Sequence, residues 1–246
     1  MPTKQHLLLT LLLIAKVYAA GGPPMMTDDP ETPGDGNWEV NLAYKGDMRT
    51  HLLRYEQPII DVNYGVGETI QLKIESSYVS LFRDGESKVQ GLGNAKIGVK
   101  WRFYENTTDN LLISTYPQYT FVPIKKCYNN GVADIDRALF LPIEISKKIG
   151  LWAITGEFGY LSIKDSRDQI EYGIVTGYEV LEHLELLAEL HNASYLSGGN
   201  TTMIANTGLK YWISPPISFI FSAGHELKSP EESKSTLFYA GLQLHY

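Results

Sequence analysis

Proton chemistry near neutral pH needs histidine, cysteine or a carboxylate held at the right spacing, and the chain has six histidines and one cysteine. Two stretches place a histidine near a second reactive group. "HNAS" sets His191 ahead of Ser194, the pair that acyl transfer would need, and "GHE" sets His225 beside Glu226. Both lie in alternating polar and apolar runs, where successive side chains point to opposite faces. Neither pair shares a face, so neither can act as a unit, and no catalytic residue is expected. Phosphate-loop and zinc-site spacings are absent, and the acids Asp28, Asp29, Glu31 and Asp35 lack the EF-hand spacing that calcium binding would need. No metal and no cofactor is expected.

The charged residues instead recur at every second position. In "NAKIGVKWRF", Lys96, Lys100 and Arg102 alternate with Ile97, Val99, Trp101 and Phe103. In "TIQLKIESSY", Lys73 and Glu75 alternate with Leu72, Ile74 and Tyr78. "NWEVNLAY", "LWAITGEFGY", "EYGIVTGYEV" and "HLELLAEL" keep the same rule. A period of two is that of a strand with two unlike faces. From Asn37 to the last residue, segments of about ten residues repeat between turn signals, the pattern of a transmembrane β-barrel. The predicted fold is all-β: one closed antiparallel barrel of about twelve strands, with short periplasmic turns and longer external loops.

Electrostatics selects which face looks inward. One phase puts Glu39, Asp61, Lys73, Glu75, Lys96, Lys100, Arg102, Glu144, Glu157, Glu171, Glu179, Glu185, Glu189, Lys210 and Glu226 in the lumen and leaves the outer face almost uncharged. A Lys or Arg at mid-membrane costs roughly 2–4 kcal/mol, so the opposite phase would cost on the order of tens of kcal/mol. Aromatic rings then sort by depth into two girdles. Trp38, Tyr64, Trp101, Trp152, Tyr178, Tyr211 and Tyr246 fall at the periplasmic end, and Tyr44, Tyr78, Tyr119, Tyr160, Tyr172 and Phe238 at the external end. A soluble sandwich would explain the alternation but not the girdles. The last stretch, "STLFYAGLQLHY", must pair both edges and so closes the barrel on the first strand.

Three regions follow. Residues 1–19 read as a secretory leader: Lys4, an apolar run from Leu7 to Ala15, and the cleavage signal Val17-Tyr18-Ala19. Residues 20–36, rich in Pro, Gly and acid, form an irregular periplasmic segment, and residues 37–246 the barrel. The lone Cys127 rules out an internal disulfide. A net charge of −7 argues against nucleic acid as a partner. The expected partners are outer-membrane lipid and lipopolysaccharide, the barrel-insertion machinery through the C-terminal strand, and a small-molecule solute.

The predicted lumen has a basic wall (Lys73, Lys96, Lys100, Arg102, Lys210) facing an acidic one (Glu157, Glu179, Glu185, Glu189). This sets up a transverse field across a pore, or neutralises itself in a packed interior. The segment bearing Asp28, Asp29, Glu31 and Asp35 is expected to fold inward onto Lys100, Arg102 and Lys210 as a gate. Two functions fit: a passive outer-membrane channel for small molecules, or a non-conducting structural or adhesive barrel that binds a partner through its external loops.

"MMTDDPETPGDGNWEV" resembles the start of the bacterial outer-membrane family named for the MetA pathway of phenol degradation. The resemblance continues through "VNYGVGETIQL", "GLGNAKIGVKWRF", "YPQYTFVP", "FLPIEISKKIGLWAITGEFGY", "FSAGHEL" and "YAGLQ". It implies a Gram-negative outer-membrane barrel that moves small compounds, aromatic or hydrophobic ones included. The stretch after Pro123, "IKKCYNNGVADIDR", departs from the Gly-rich loop of that family.

Overall fold

The alternating stretches become strands whose apolar face has nothing of the protein to pack on. The computed structural model describes residues 19–199, 201–231 and 233–246, so the predicted leader lies outside the described residues except for Ala19. The strands are β1 (Trp38–Arg49), β2 (Leu52–Val66), β3 (Ile70–Arg83), β4 (Val89–Asn106), β5 (Leu111–Thr115), β6 (Gln118–Phe121), β7 (Arg137–Ile149), β8 (Trp152–Ile163), β9 (Gln169–Leu181), β10 (Leu184–Tyr195), β11 (Thr201–Ser214), β12 (Ile217–Lys228) and β13 (Thr236–His245). One short helix, α1 (Lys125–Asn129), lies in the connection after β6.

Apart from β5 and β6, each strand pairs antiparallel with its neighbours in sequence, and β1 pairs with β13 from Glu39↔His245 to Met48↔Thr236. The sheet is therefore a closed ring. β5 and β6 both lie between β4 and β7. They are two halves of one crossing, broken at Tyr116-Pro117 because proline has no N–H for the ladder. Counted this way, twelve strands cross among the described residues, and their ring leaves no edge for another chain to pair with.

The lumenal phase matches the electrostatic expectation. Inward Lys100, Glu157 and Glu189 are 2%, 6% and 3% exposed, while outward Ile74 and Phe158 are 58% and 59% exposed. Connections at one end are short, covering residues 67–69, 107–110, 150–151, 182–183 and 215–216. Those at the other end are longer, apart from the two-residue turn at 50–51. Between β3 and β4 only residues 84–88 turn. Rings ride on each rim. Trp38 meets Tyr64 at 4.5 Å and Trp152 meets Tyr178 at 4.6 Å at the short-turn end, and Tyr44 meets Phe238 at 5.3 Å at the other.

Candidate functional site: a hairpin held inside the lumen

Residues 19–33 run inside the barrel and turn back on themselves. Gly22 N–H donates to Thr27 O at 3.0 Å and Met25 N–H to Gly22 O at 2.8 Å, so residues 22–27 form the tip. At the base of this hairpin, Ala19 N–H donates to the Glu31 carboxylate at 2.6 Å. Thr32 then bonds Glu68 O at 2.8 Å at the short-turn rim.

The hairpin spans the two charged walls. On the acidic side, the Thr27 and Met26 N–H groups donate to Glu189 at 2.6 and 3.0 Å, and Asn206 donates to the same carboxylate at 2.5 Å. On the basic side, Lys100 Nζ donates to Asp28 Oδ1 at 2.9 Å and also to the Asp29 carbonyl. Backbone donors thus face carboxylates, and a carboxylate faces the ammonium. Ser222 adds a bond to Pro24 O at 2.8 Å.

Packing needs glycine in the wall. A Cβ on Gly173 would stand 1.9 Å from Thr27 Oγ1, and one on Gly208 would stand 2.5 Å from Met25 Cε. One on Gly65 would stand 1.8 Å from Gly34 O, where the chain passes between hairpin and barrel. At Gly65 the obstacle is backbone and no side chain fits, while at Gly173 and Gly208 the hairpin side chains would have to move. Ala20 and Met25 complete an apolar cluster with Ala153, Val175 and Leu187.

The charged residues named from the sequence fall into separate groups. Lys73 bridges Asp61 and Glu75 at 3.1 and 2.9 Å, and Lys96 approaches Glu75 at 3.7 Å. Asn41 joins Asp61 to Glu39. Glu179 pairs with Lys148 at 3.2 Å. Lys210 and Glu185 line the cavity beside Glu31. Two residues lie apart from the hairpin contacts. Arg102 turns to Glu105 and to Glu68 O at the rim, and Asp35 is exposed and accepts from Gly67 N–H at 2.8 Å. Burial raises the carboxyl pKa of Asp29 to about 6 and that of Glu31 to about 8, against the pull of Lys100 on the first.

Other lumenal groups were not singled out in sequence. Tyr116 is fully buried, accepts from Gln71 at 3.0 Å, and lies under Lys100 with its ring 4.6 Å from Nζ. Arg49 holds Glu226 at 3.2 Å, and Arg54 holds Glu56 at 3.4 Å. The parity of β1 points to Arg49. In β2 a register shift between Glu56 and Ile59 reverses the parity, which conceals Arg54 and Glu56.

The hairpin divides the lumen. On its short-turn side is a cavity of about 190 Å³ lined by Glu31, Glu39, Asp61, Lys100, Tyr116, Glu185 and Lys210. On the other side is one of about 480 Å³, where Lys45, Lys96, Glu157, Glu171 and His191 share the wall with Ile59, Phe140, Ile204 and Tyr239. Beyond it, residues 122–136 tuck into the barrel mouth, with Cys127, Val132 and Ala133 against Val79. Asn94 secures this loop, donating to Ile135 O at 2.5 Å and accepting from Asp134 N–H at 3.1 Å.

No family model and no curated protein matches the chain. Solved structures do. An outer membrane channel from Pseudomonas putida F1 is similar at a TM-score of 0.68 and 12% identity, over 89% of this chain and 98% of that one. The NanC porin is similar at 0.61 and 7%, over 83% and 98%. The translocator domain of the autotransporter NalP from Neisseria meningitidis is similar at 0.60 and 10%, over 85% and 88%. The chain has the fold of an outer-membrane barrel. At these identities the likeness is one of fold, and it extends to barrels with unlike tasks.

Proposed function

We propose that the protein is a passive channel of the Gram-negative outer membrane for small molecules, with residues 19–33 as a resident gate. One observation carries this reading: the lumen is neither packed solid nor open, but is divided by a hairpin between two polar cavities. A structural barrel has no need of a 480 Å³ chamber inside its mouth. The route runs past Lys96, Glu75, Glu157 and His191, then past the hairpin, then past Lys73, Lys100, Lys210, Glu185 and Glu39. The upper chamber combines ionic groups with Phe140, Ile59 and Tyr239, which suits solutes that have an apolar or aromatic body and a charged or polar end. No reaction is assigned to it.

The apolar belt and its rings support residence in lipid, with lipopolysaccharide at the long-connection rim and the insertion machinery reading β13. The stretches from "MMTDDPETPGDGNWEV" to "YAGLQ" support membership of the phenol-degradation family. Flux into proteoliposomes, comparing a phenol, a fatty acid and a sugar, tests the reading together with conductance in planar bilayers. We expect brief, rare openings from the whole protein and a steady conductance once residues 20–33 are deleted. Silence from both proteins, with no flux, would favour the adhesive barrel instead.

A further inference from the structure

The base of the hairpin places a backbone nitrogen among carboxylates. Ala19 N–H reaches Glu31 at 2.6 Å, and the next residue, Ala20, is fully buried. Ala20 Cβ and Glu185 Oε1 both crowd Gly177, at 2.9 and 2.2 Å from where a Cβ would stand, so Ala20 sits beside a second carboxylate. The small cavity around them is lined by Asp28, Asp29, Glu31, Glu39, Asp61 and Glu185 against Lys73, Lys100 and Lys210. Lys73 is engaged by Asp61 and Glu75, and Lys100 by Asp28. Lys210 is the cation that Glu31 and Glu185 share, while Arg102, near the first, is held by Glu105, and Lys148, near the second, by Glu179. Two buried carboxylates with one shared ammonium lack one positive charge.

The sequence supplies that charge. Val17-Tyr18-Ala19 is a small-x-small signal, and cutting after it makes Ala20 the first residue. We propose that removal of the leader leaves the α-ammonium of Ala20 inside the barrel as counter-ion to Glu31 and Glu185, so that export processing itself locks the hairpin in place. The step balances simply. An endopeptidase of the export route spends one water on the Ala19–Ala20 amide, the leader departs as a carboxylate, and the freed amine takes up a proton. The Ala20 nitrogen lies about 3.5 Å along the chain from that of Ala19, and with its acyl partner gone it can swing onto either acid. Burial that holds the Glu31 carboxyl at about 8 while Ala19 is still an amide is offset once the ammonium forms. The other charged groups around this point are Asp29 on the hairpin, Glu39 on β1, Arg102 on β4, Lys148 on β7 and Glu179 on β9.

The proposal rests on the leader reading, and the experiment separates the two. Protein purified from outer membranes is first examined by intact mass and N-terminal sequencing, with Ala20 expected as residue one. Competitive acetylation of the terminal amine, scored on the N-terminal peptide by mass spectrometry from about pH 6 to about 11, then gives its titration midpoint. The midpoint is expected about one pH unit above the ordinary α-amino value near 8, and back near 8 in the double variant Glu31→Gln, Glu185→Gln. In planar bilayers the double variant is expected to be open about tenfold more of the time. Heat-modifiable gel mobility shows that each barrel is folded, and Glu31→Gln alone serves if the double variant does not assemble. A different first residue overturns the leader reading. A chain that starts at Ala20, with a midpoint equal to that of the variant, overturns the lock.

Discussion

Lys100 on β4 reaches across the lumen to Asp28 on the hairpin, 2.9 Å from Nζ to Oδ1, with the Lys100 side chain 3% exposed. This pair joins the barrel wall to the hairpin, which takes no part in the wall ladder. Its strength therefore sets how firmly the lumen is closed.

Lys100→Met keeps the bulk of the side chain but leaves Asp28 without its ammonium. The loss of a charge-assisted bond costs about 2 kcal/mol, or roughly a thirtyfold change in the seated-to-released ratio. Single-channel records should show open dwells lengthened by about that factor, with the folded barrel unchanged on gels. Unaltered dwells would mean that the hairpin is held elsewhere.

Glycine positions in the wall should behave unequally. Gly173→Val drives a side chain into Thr27, and the hairpin must leave. Gly156→Ala, whose new Cβ finds nothing nearer than 3.9 Å, should be silent. A spin label on Met26 would report the difference as a gain in mobility for the first variant only.

Outward and inward faces make a second contrast. Ile174, in the middle of β9, is 49% exposed and faces outward. Ile174→Arg should destabilise the barrel in lipid vesicles by about 2–4 kcal/mol, measured by denaturant unfolding. A shift near zero would place that face against water rather than acyl chains.

The loop in the barrel mouth should loosen with acid. Asp136 accepts from Lys164 at 3.0 Å and Lys125 at 3.1 Å, and these bonds hold its carboxyl below the ordinary value of 3.8. A lowered carboxylate pKa stabilises above the unfolded value and ceases to as pH falls through the folded one. Pepsin cleavage within residues 122–136 should therefore rise as the pH falls below about 3.8, and Asp136→Asn should give the faster rate near that pH, the two rates converging in stronger acid.

The barrel could be read from residues such as Lys96, Ile97, Lys100 and Trp101 because lipid imposes one rule at every crossing: ions inside, apolar groups and rings outside. That rule is local and has a period of two, so a linear string can display it. The same parity placed Glu157, Glu185 and Glu189 in the lumen before any fold was known. Arg54 and Glu56 escaped because an irregularity in β2 reverses the parity, and a bulge leaves no mark in hydropathy. Tyr116 escaped because it precedes the proline that splits β5 from β6.

The alternation of polar and apolar residues was enough to establish the strands and their two faces, since these depend only on neighbours along one strand, and the need to pair both edges of the last strand implied a closed ring. Which ions meet could be decided only by the folded chain. Lys100 met Asp28, as expected of a segment folding inward, but Glu189 met backbone N–H groups and Arg102 turned to the rim instead of to that segment. Pairing across a lumen depends on stagger, on close approach at Gly65, Gly173 and Gly208, and on the path of residues 19–33. These are distances between parts of the chain far apart in sequence, and no periodicity encodes them.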